Sequence, residues 1–180
     1  MNDNHKTKNE QENGMGKIML ILAFILVLAM FTFFFKDVLD KQRNPNQQIN
    51  NILNSEGIPE VVLQQNRQGH YFATGSINNQ TVDFLLDTGA TDVAIPAEIA
   101  KKLKLKPGPE VRMTTANGVI TARMTRLDNV ELGGISLKNI RATINPFMHA
   151  DDEILLGMSF LKHLEMTQRG KTLILKPYFK

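Results

Sequence analysis

The chain has 180 residues, 42% of them hydrophobic, enough for one compact domain with a packed core beside an apolar N-terminal run and not comfortably enough for two. It contains no cysteine, which excludes disulfides, thiolate chemistry and cysteine-ligated zinc and fits either redox compartment. The net charge of +3 lies wholly in residues 60–180, with fifteen basic against twelve acidic side chains, because residues 1–59 hold six of each.

Residues 1–17 are polar, without apolar periodicity, and read as a disordered tail. Ile18 to Phe35 is an unbroken run of eighteen residues whose only polar member is Thr32. As a helix it reaches about 27 Å, the thickness of a bilayer's hydrocarbon core, so a single transmembrane helix over 18–35 is expected, with the lipid bilayer as its partner. A cleaved signal peptide is the alternative; the run is long for one, and Phe33-Phe34-Phe35-Lys36-Asp37 lacks the small residues that cleavage needs. Lys6, Lys8 and Lys17 on one side face Lys36, Lys41 and Arg43 on the other, so charge alone does not orient the span. Residues 36–59, rich in Asn and Gln, read as a polar tether in which Ile49, Ile52 and Leu53 form a helical turn.

From residue 60 the apolar period moves towards two, and residues 60–180 read as a mainly β domain with one or two short helices. Strands are expected at Val61–Leu63 and His70–Thr74. A hairpin follows, with Ser76-Ile77, a turn at Asn78-Asn79 and Thr81–Leu86. Pro96–Leu103 is a short helix with Ile95, Ile99 and Leu103 on one face. At its C-terminal end Lys101, Lys102, Lys104 and Lys106 form a basic cluster. Either it meets an anionic partner, or its cations complement the helix dipole; no aromatic or Gly-rich nucleic-acid motif accompanies it, and no nucleic-acid partner is expected. Val111–Ala116 and Val119–Thr125 flank Asn117-Gly118, a pair that favours a type I′ turn. Further strands are expected at Asn129–Leu132, Ser136–Ile144, Glu153–Leu156 and Thr172–Lys176, with a helix at Ser159–Leu164.

The chemistry-bearing stretch is Val82-Asp83-Phe84-Leu85-Leu86-Asp87-Thr88-Gly89-Ala90-Thr91, strand formers that deliver one aspartate into a tight turn. Downstream, Ile154-Leu155-Leu156-Gly157-Met158-Ser159 repeats the apolar lead-in, with Gly157 where the aspartate stood. The order hairpin, apolar pair, turn, helix occurs twice, as a pseudo-twofold protomer requires. His149-Ala150-Asp151-Asp152-Glu153 lacks the spacing of a calcium loop or a His-Glu-x-x-His helix and reads as a solvated loop, so no metal site is expected.

One Asp-Thr-Gly followed by one Leu-Leu-Gly resembles the retroviral-type aspartic proteases. With the N-terminal anchor, the chain resembles the membrane-anchored retropepsin-like proteases of bacteria. The resemblance covers residues 60–180 and implies a closed β-barrel protomer, a homodimer and hydrolysis of a polypeptide substrate without metal or organic cofactor. It implies Asp87 as the catalytic residue, paired with the Asp87 of a second copy. Two facing carboxylates share one proton, so that one acts as acid while the other accepts the proton of the attacking water. Thr88, Gly89 and Ala90 would support the loop, with the Thr88 hydroxyl bonding across the dimer axis. Ala116, Asn117, Gly118 and Val119 would form a flap over the substrate, and Leu155, Leu156 and Gly157 would pack beneath the active site. The resemblance also implies a protease domain on the extracytoplasmic side of a bacterial inner membrane. A peptide-binding or scaffolding module with the same fold and little turnover is the rival reading.

Overall fold

The computed structural model describes residues 4–49, 51–53, 57–115, 118–149 and 153–178. The chain divides into two compact units, Met1–Asp40 and Lys41–Lys180. Helix α1, Asn4–Arg43, accounts for the described part of the first and runs past the 18–35 segment at both ends. Residues 4–17 are therefore helical rather than the expected disordered tail: a helix once nucleated extends into flanking polar residues at little cost. From Ile18 to Phe35 its large apolar side chains are exposed, and Gly16–Arg43 is long and apolar enough to cross a membrane.

The start of the second unit differs from a loose tether. The expected helical turn at Ile49, Ile52 and Leu53 is replaced after residue 49 by strand β1, Asn51–Leu53, paired antiparallel with β2, Pro59–Gln64. Before it, Asn44 and Asn46 are buried. The Asn46 amide donates to the carbonyls of Gln64 (2.9 Å) and Phe72 (2.6 Å), and its Oδ1 accepts from the Gln64 N–H (2.8 Å). Asn44 Nδ2 donates to Thr74 Oγ1 (2.9 Å) and to Asp83 Oδ1 (3.1 Å). Polar residues that read as linker here satisfy buried backbone groups. Asn46→Ala strands those groups, and a loss of about 2–3 kcal/mol is expected in urea denaturation.

The barrel begins with β3, Phe72–Ile77, and β4, Gln80–Leu86. They are joined by Asn78-Asn79 at φ 49° and 65°, the positive pair a type I′ turn demands. Next come β5, Val93–Pro96, and helix α2, Ala97–Lys102, whose last turn holds Lys101 and Lys102. Then β6, Glu110–Thr115, pairs with the long β7, Gly118–Leu132, and β7 with β8, Ile135–Asn145. Strand β9, Ile154–Leu156, leads into helix α3, Met158–Leu161, and the chain closes with β10, Leu164–Arg169, and β11, Thr172–Pro177. Helix α3 is shorter than expected, and Leu164, its expected last residue, opens a strand that the sequence pattern did not indicate.

Strands β3-β4-β9-β5-β8-β7 form a ring, closed where β7 returns to β3 through Ser76↔Glu131 and Ile77↔Val130. Closure depends on Gly75: a Cβ there would lie 2.3 Å from the Glu131 carbonyl oxygen and 2.8 Å from the Phe84 ring. Fully buried Ile77, Phe84, Ile95, Leu127, Leu132, Ile154 and Leu156 belong to the core. A second sheet, β1-β2-β11-β10, carries Val61, Leu63 and Leu175 into the same cluster.

Candidate active site

The repeat in the sequence becomes a pair of neighbouring parallel strands. β4 and β9 run side by side with Leu85↔Leu155 and Leu86↔Leu156 in register, so Asp87 and Gly157 follow at matching ends. The Asp87 N–H donates to the Leu156 carbonyl at 3.2 Å, and the N–H groups of Met158 and Ser159 donate to the carbonyls of Ala90 (2.8 Å) and Thr91 (2.9 Å). Both flanks of the aspartate loop are thereby tied to the Leu-Leu-Gly turn. Gly157 is buried, and a Cβ on it would lie 2.2 Å from the Asp92 carbonyl oxygen and 2.6 Å from that of Ala90. The turn fits because position 157 has no side chain.

Within the loop, Asp87 Oδ1 accepts from the Gly89 N–H at 2.8 Å, and the Ala90 N–H donates to the Asp87 carbonyl at 3.3 Å. Asp87 is half-buried, whereas Thr88 and Gly89 are exposed. A carboxylate fixed by a backbone donor at the rim of a rigid barrel is poised to polarise a water, and the exposed loop crest is open to a second molecule.

The hairpin of β6 and β7 projects from the ring. Its register pairs Thr115 with Gly118. The Arg123–Glu110 ion pair (2.8 Å) and the Met124 N–H donating to the Pro109 carbonyl (2.9 Å) hold that register at the base. Ala116 and Asn117 lie outside the described residues. Gly118 has φ 113°, and Val119 is exposed.

Three residues that sequence reasoning passed over brace the loop. Asp92 is buried and accepts from Arg141 Nε at 2.6 Å; Ser159 Oγ accepts from the Val93 N–H (3.1 Å) and donates to the Arg141 carbonyl (2.7 Å). Arg141 lies 49 positions from Asp92, beyond any local motif; the aspartate five residues after Asp87 was the one available signal. Asp83, exposed on β4, accepts from the Thr74 hydroxyl at 2.6 Å. Arg141→Met leaves the Asp92 carboxylate buried without its cation. Because the guanidinium is half exposed, we expect a loss nearer about 1–3 kcal/mol than the full cost for a buried pair. Adding Asp92→Asn removes the stranded charge and recovers part of that loss in a thermal-denaturation cycle.

Residues 73–163 match the family described as "gag-polyprotein putative aspartyl protease". An uncharacterized protein of Sinorhizobium sp. is 40% identical over 120 residues, covering 65% of this chain; the match spans only about half (51%) of that relative's length. An uncharacterized protein of Rickettsia prowazekii (strain Madrid E) is 27% identical over 164 residues, 89% of this chain and 69% of the relative. The crystal structure of a retropepsin-like aspartic protease from Rickettsia conorii superposes with a TM-score of 0.56 at 31% identity, covering 72% of this chain and 96% of that one. A closed six-stranded barrel, a single Asp-Thr-Gly loop and a glycine turn stitched beneath it agree with these matches: the chain belongs to the bacterial retropepsin-like aspartic protease family.

Proposed function

We propose that this chain is a membrane-tethered, homodimeric aspartic endopeptidase in which Asp87 of each copy supplies half of the catalytic pair. The observation that carries the reading is the single Asp-Thr-Gly loop, its carboxylate fixed by the Gly89 N–H and its flanks tied to the Leu-Leu-Gly turn. One carboxylate cannot both deprotonate water and protonate the leaving amine in the shared-proton mechanism, so a twofold-related second copy completes the site through an isologous interface. Thr88 and Gly89, exposed at the crest, are the residues such a partner meets first, and Thr88 bonds to the opposing loop. Leu155, Leu156 and Gly157 buttress the loop, and Ala90 receives the turn's hydrogen bond at its carbonyl.

The β6–β7 hairpin serves as the flap. Ala116, Asn117, Gly118 and Val119 lie over an extended polypeptide substrate, bound by backbone strand addition, and flap closure excludes bulk water. The apolar Gly16–Arg43 segment anchors the chain in the bilayer, with the protease domain on the extracytoplasmic side. Confinement to a plane raises the effective concentration of copies and favours pairing.

The test incubates the full chain in nanodiscs with a diverse peptide mixture beside Asp87→Asn, and new termini are identified by mass spectrometry. Cuts made only by the unaltered chain support the reading. No cuts by a demonstrably dimeric sample would leave a peptide-binding module of the same fold.

A further inference from the structure

A second feature of the domain is separate from the Asp87 loop. A cavity of 290 Å³ opens between the β7–β8 ribbon and the chain leaving α3, and Arg126, Lys138, Arg141, Lys162 and His163 contribute to its walls. Among the described residues no acidic side chain lines it. Arg126 and Arg141 stand directly opposite each other in the antiparallel register, an arrangement of like charges that destabilises a sheet unless something compensates. The compensation present is partial: Asp92 pairs with Arg141 through Nε only, and Arg126 Nη1 donates to the neutral Asn139 side chain at 2.9 Å. Lys138 and Lys162 are exposed and have no ion-pair partner among the described residues. Asp128, the nearby carboxylate on β7, does not line the cavity.

We propose that this cavity is a binding site for a phosphate-class anion. Arg141 is held through Nε and Arg126 through Nη1, which donates to both the Asn139 side chain and its carbonyl (3.4 Å), so each guanidinium keeps its other N–H donors for phosphate oxygens, the bidentate recognition arginine favours. The two lysines add unpaired positive charge at the rim. Asn139, at φ 58°, interrupts the extended backbone of β8 where its side chain fixes Arg126, so the fork is preset before a ligand arrives. The same Arg141 holds Asp92 just beyond the Asp87 loop, so occupancy is felt at that loop, but binding itself does not depend on peptide turnover. Inorganic phosphate species and phospholipid headgroups share this chemistry.

Inorganic pyrophosphate is titrated calorimetrically, at fixed ionic strength, into the full chain held in phosphatidylcholine nanodiscs. Saturable binding at one site per protomer is expected. Lys138→Gln/Lys162→Gln should weaken it at least about tenfold, while Lys101→Gln/Lys102→Gln, which neutralises two lysines outside the cavity, leaves it unchanged. The first pair touches no described ion pair, so loss of fold is not the expected cause, and a thermal melt of each variant checks this. Repeating the titration in discs containing phosphatidylglycerol separates the sources. Pyrophosphate binding weakened by this lipid by a larger factor in the parent chain than in Lys138→Gln/Lys162→Gln identifies a lipid headgroup, and undiminished binding identifies a soluble phosphate. Absence of saturable binding, or equal weakening by both double variants, overturns the proposal.

Discussion

Asp87→Asn is expected to lower peptide hydrolysis by about 10³- to 10⁴-fold while leaving the fold intact. The substitution is nearly isosteric, and the amide oxygen can still accept from the Gly89 N–H, so the hydrogen bond that shapes the loop survives. A thermal shift equivalent to less than about 1 kcal/mol follows. If two Asp87 carboxylates face each other in a dimer, neutralising both relieves like-charge repulsion, and the variant should dimerise as tightly as the parent or more so.

Mixing gives the sharper discrimination. When parent and Asp87→Asn chains are equilibrated in equal amounts, random pairing leaves about one quarter of the dimers with two aspartates. Activity of the mixture, relative to the same total of parent chain, then falls to about one quarter, against about one half if each protomer works alone. A value near one half would refute the shared site even if the variant is inactive by itself. A single binding module would show no such dependence, because it has no turnover to lose.

The parts legible in the sequence are those whose cause is local. Asn78-Asn79 specifies its turn through the φ > 0 that both positions adopt. The apolar run before Asp87 makes a strand that buries Phe84 and half-buries Leu85 and Leu86, and Leu155-Leu156-Gly157 was readable as its counterpart because the two halves share a pattern. Asp92 and Arg141 were not readable as a pair, since only the folded barrel brings β8 beside the end of the aspartate loop. Segment 44–46 was misread for a related reason. Asn-Pro-Asn has the composition of a linker, yet the Asn46 amide replaces water at the carbonyls of Gln64 and Phe72. Strand β10 lacks a clean alternation: Leu164 alone is buried while Glu165, Met166, Gln168 and Arg169 are exposed, as befits an edge strand.

Gly157→Ala should fail in the opposite way to Asp87→Asn, losing stability and activity together. Backbone strain is not the cause, since φ is −88° there and ψ is −173°, which any residue adopts. The obstacle is space: the added methyl would meet the carbonyl oxygens of Asp92 and Ala90 at 2.2 and 2.6 Å. Those atoms are backbone and cannot rotate away as a side chain would. To relieve the overlap, β9 must withdraw from the loop, which stretches the bonds from the Met158 and Ser159 N–H groups to the Ala90 and Thr91 carbonyls. Overpacking plus loss of two buried hydrogen bonds is expected to cost about 3 kcal/mol or more, read as a lower urea midpoint. Ser159→Ala is the matched control. It removes the hydroxyl that bridges the Val93 N–H and the Arg141 carbonyl without adding volume, and should cost about 1–2 kcal/mol with most activity retained. If Gly157→Ala instead behaved like Ser159→Ala, the close approach between the two halves of the site would not be what holds Asp87 in place.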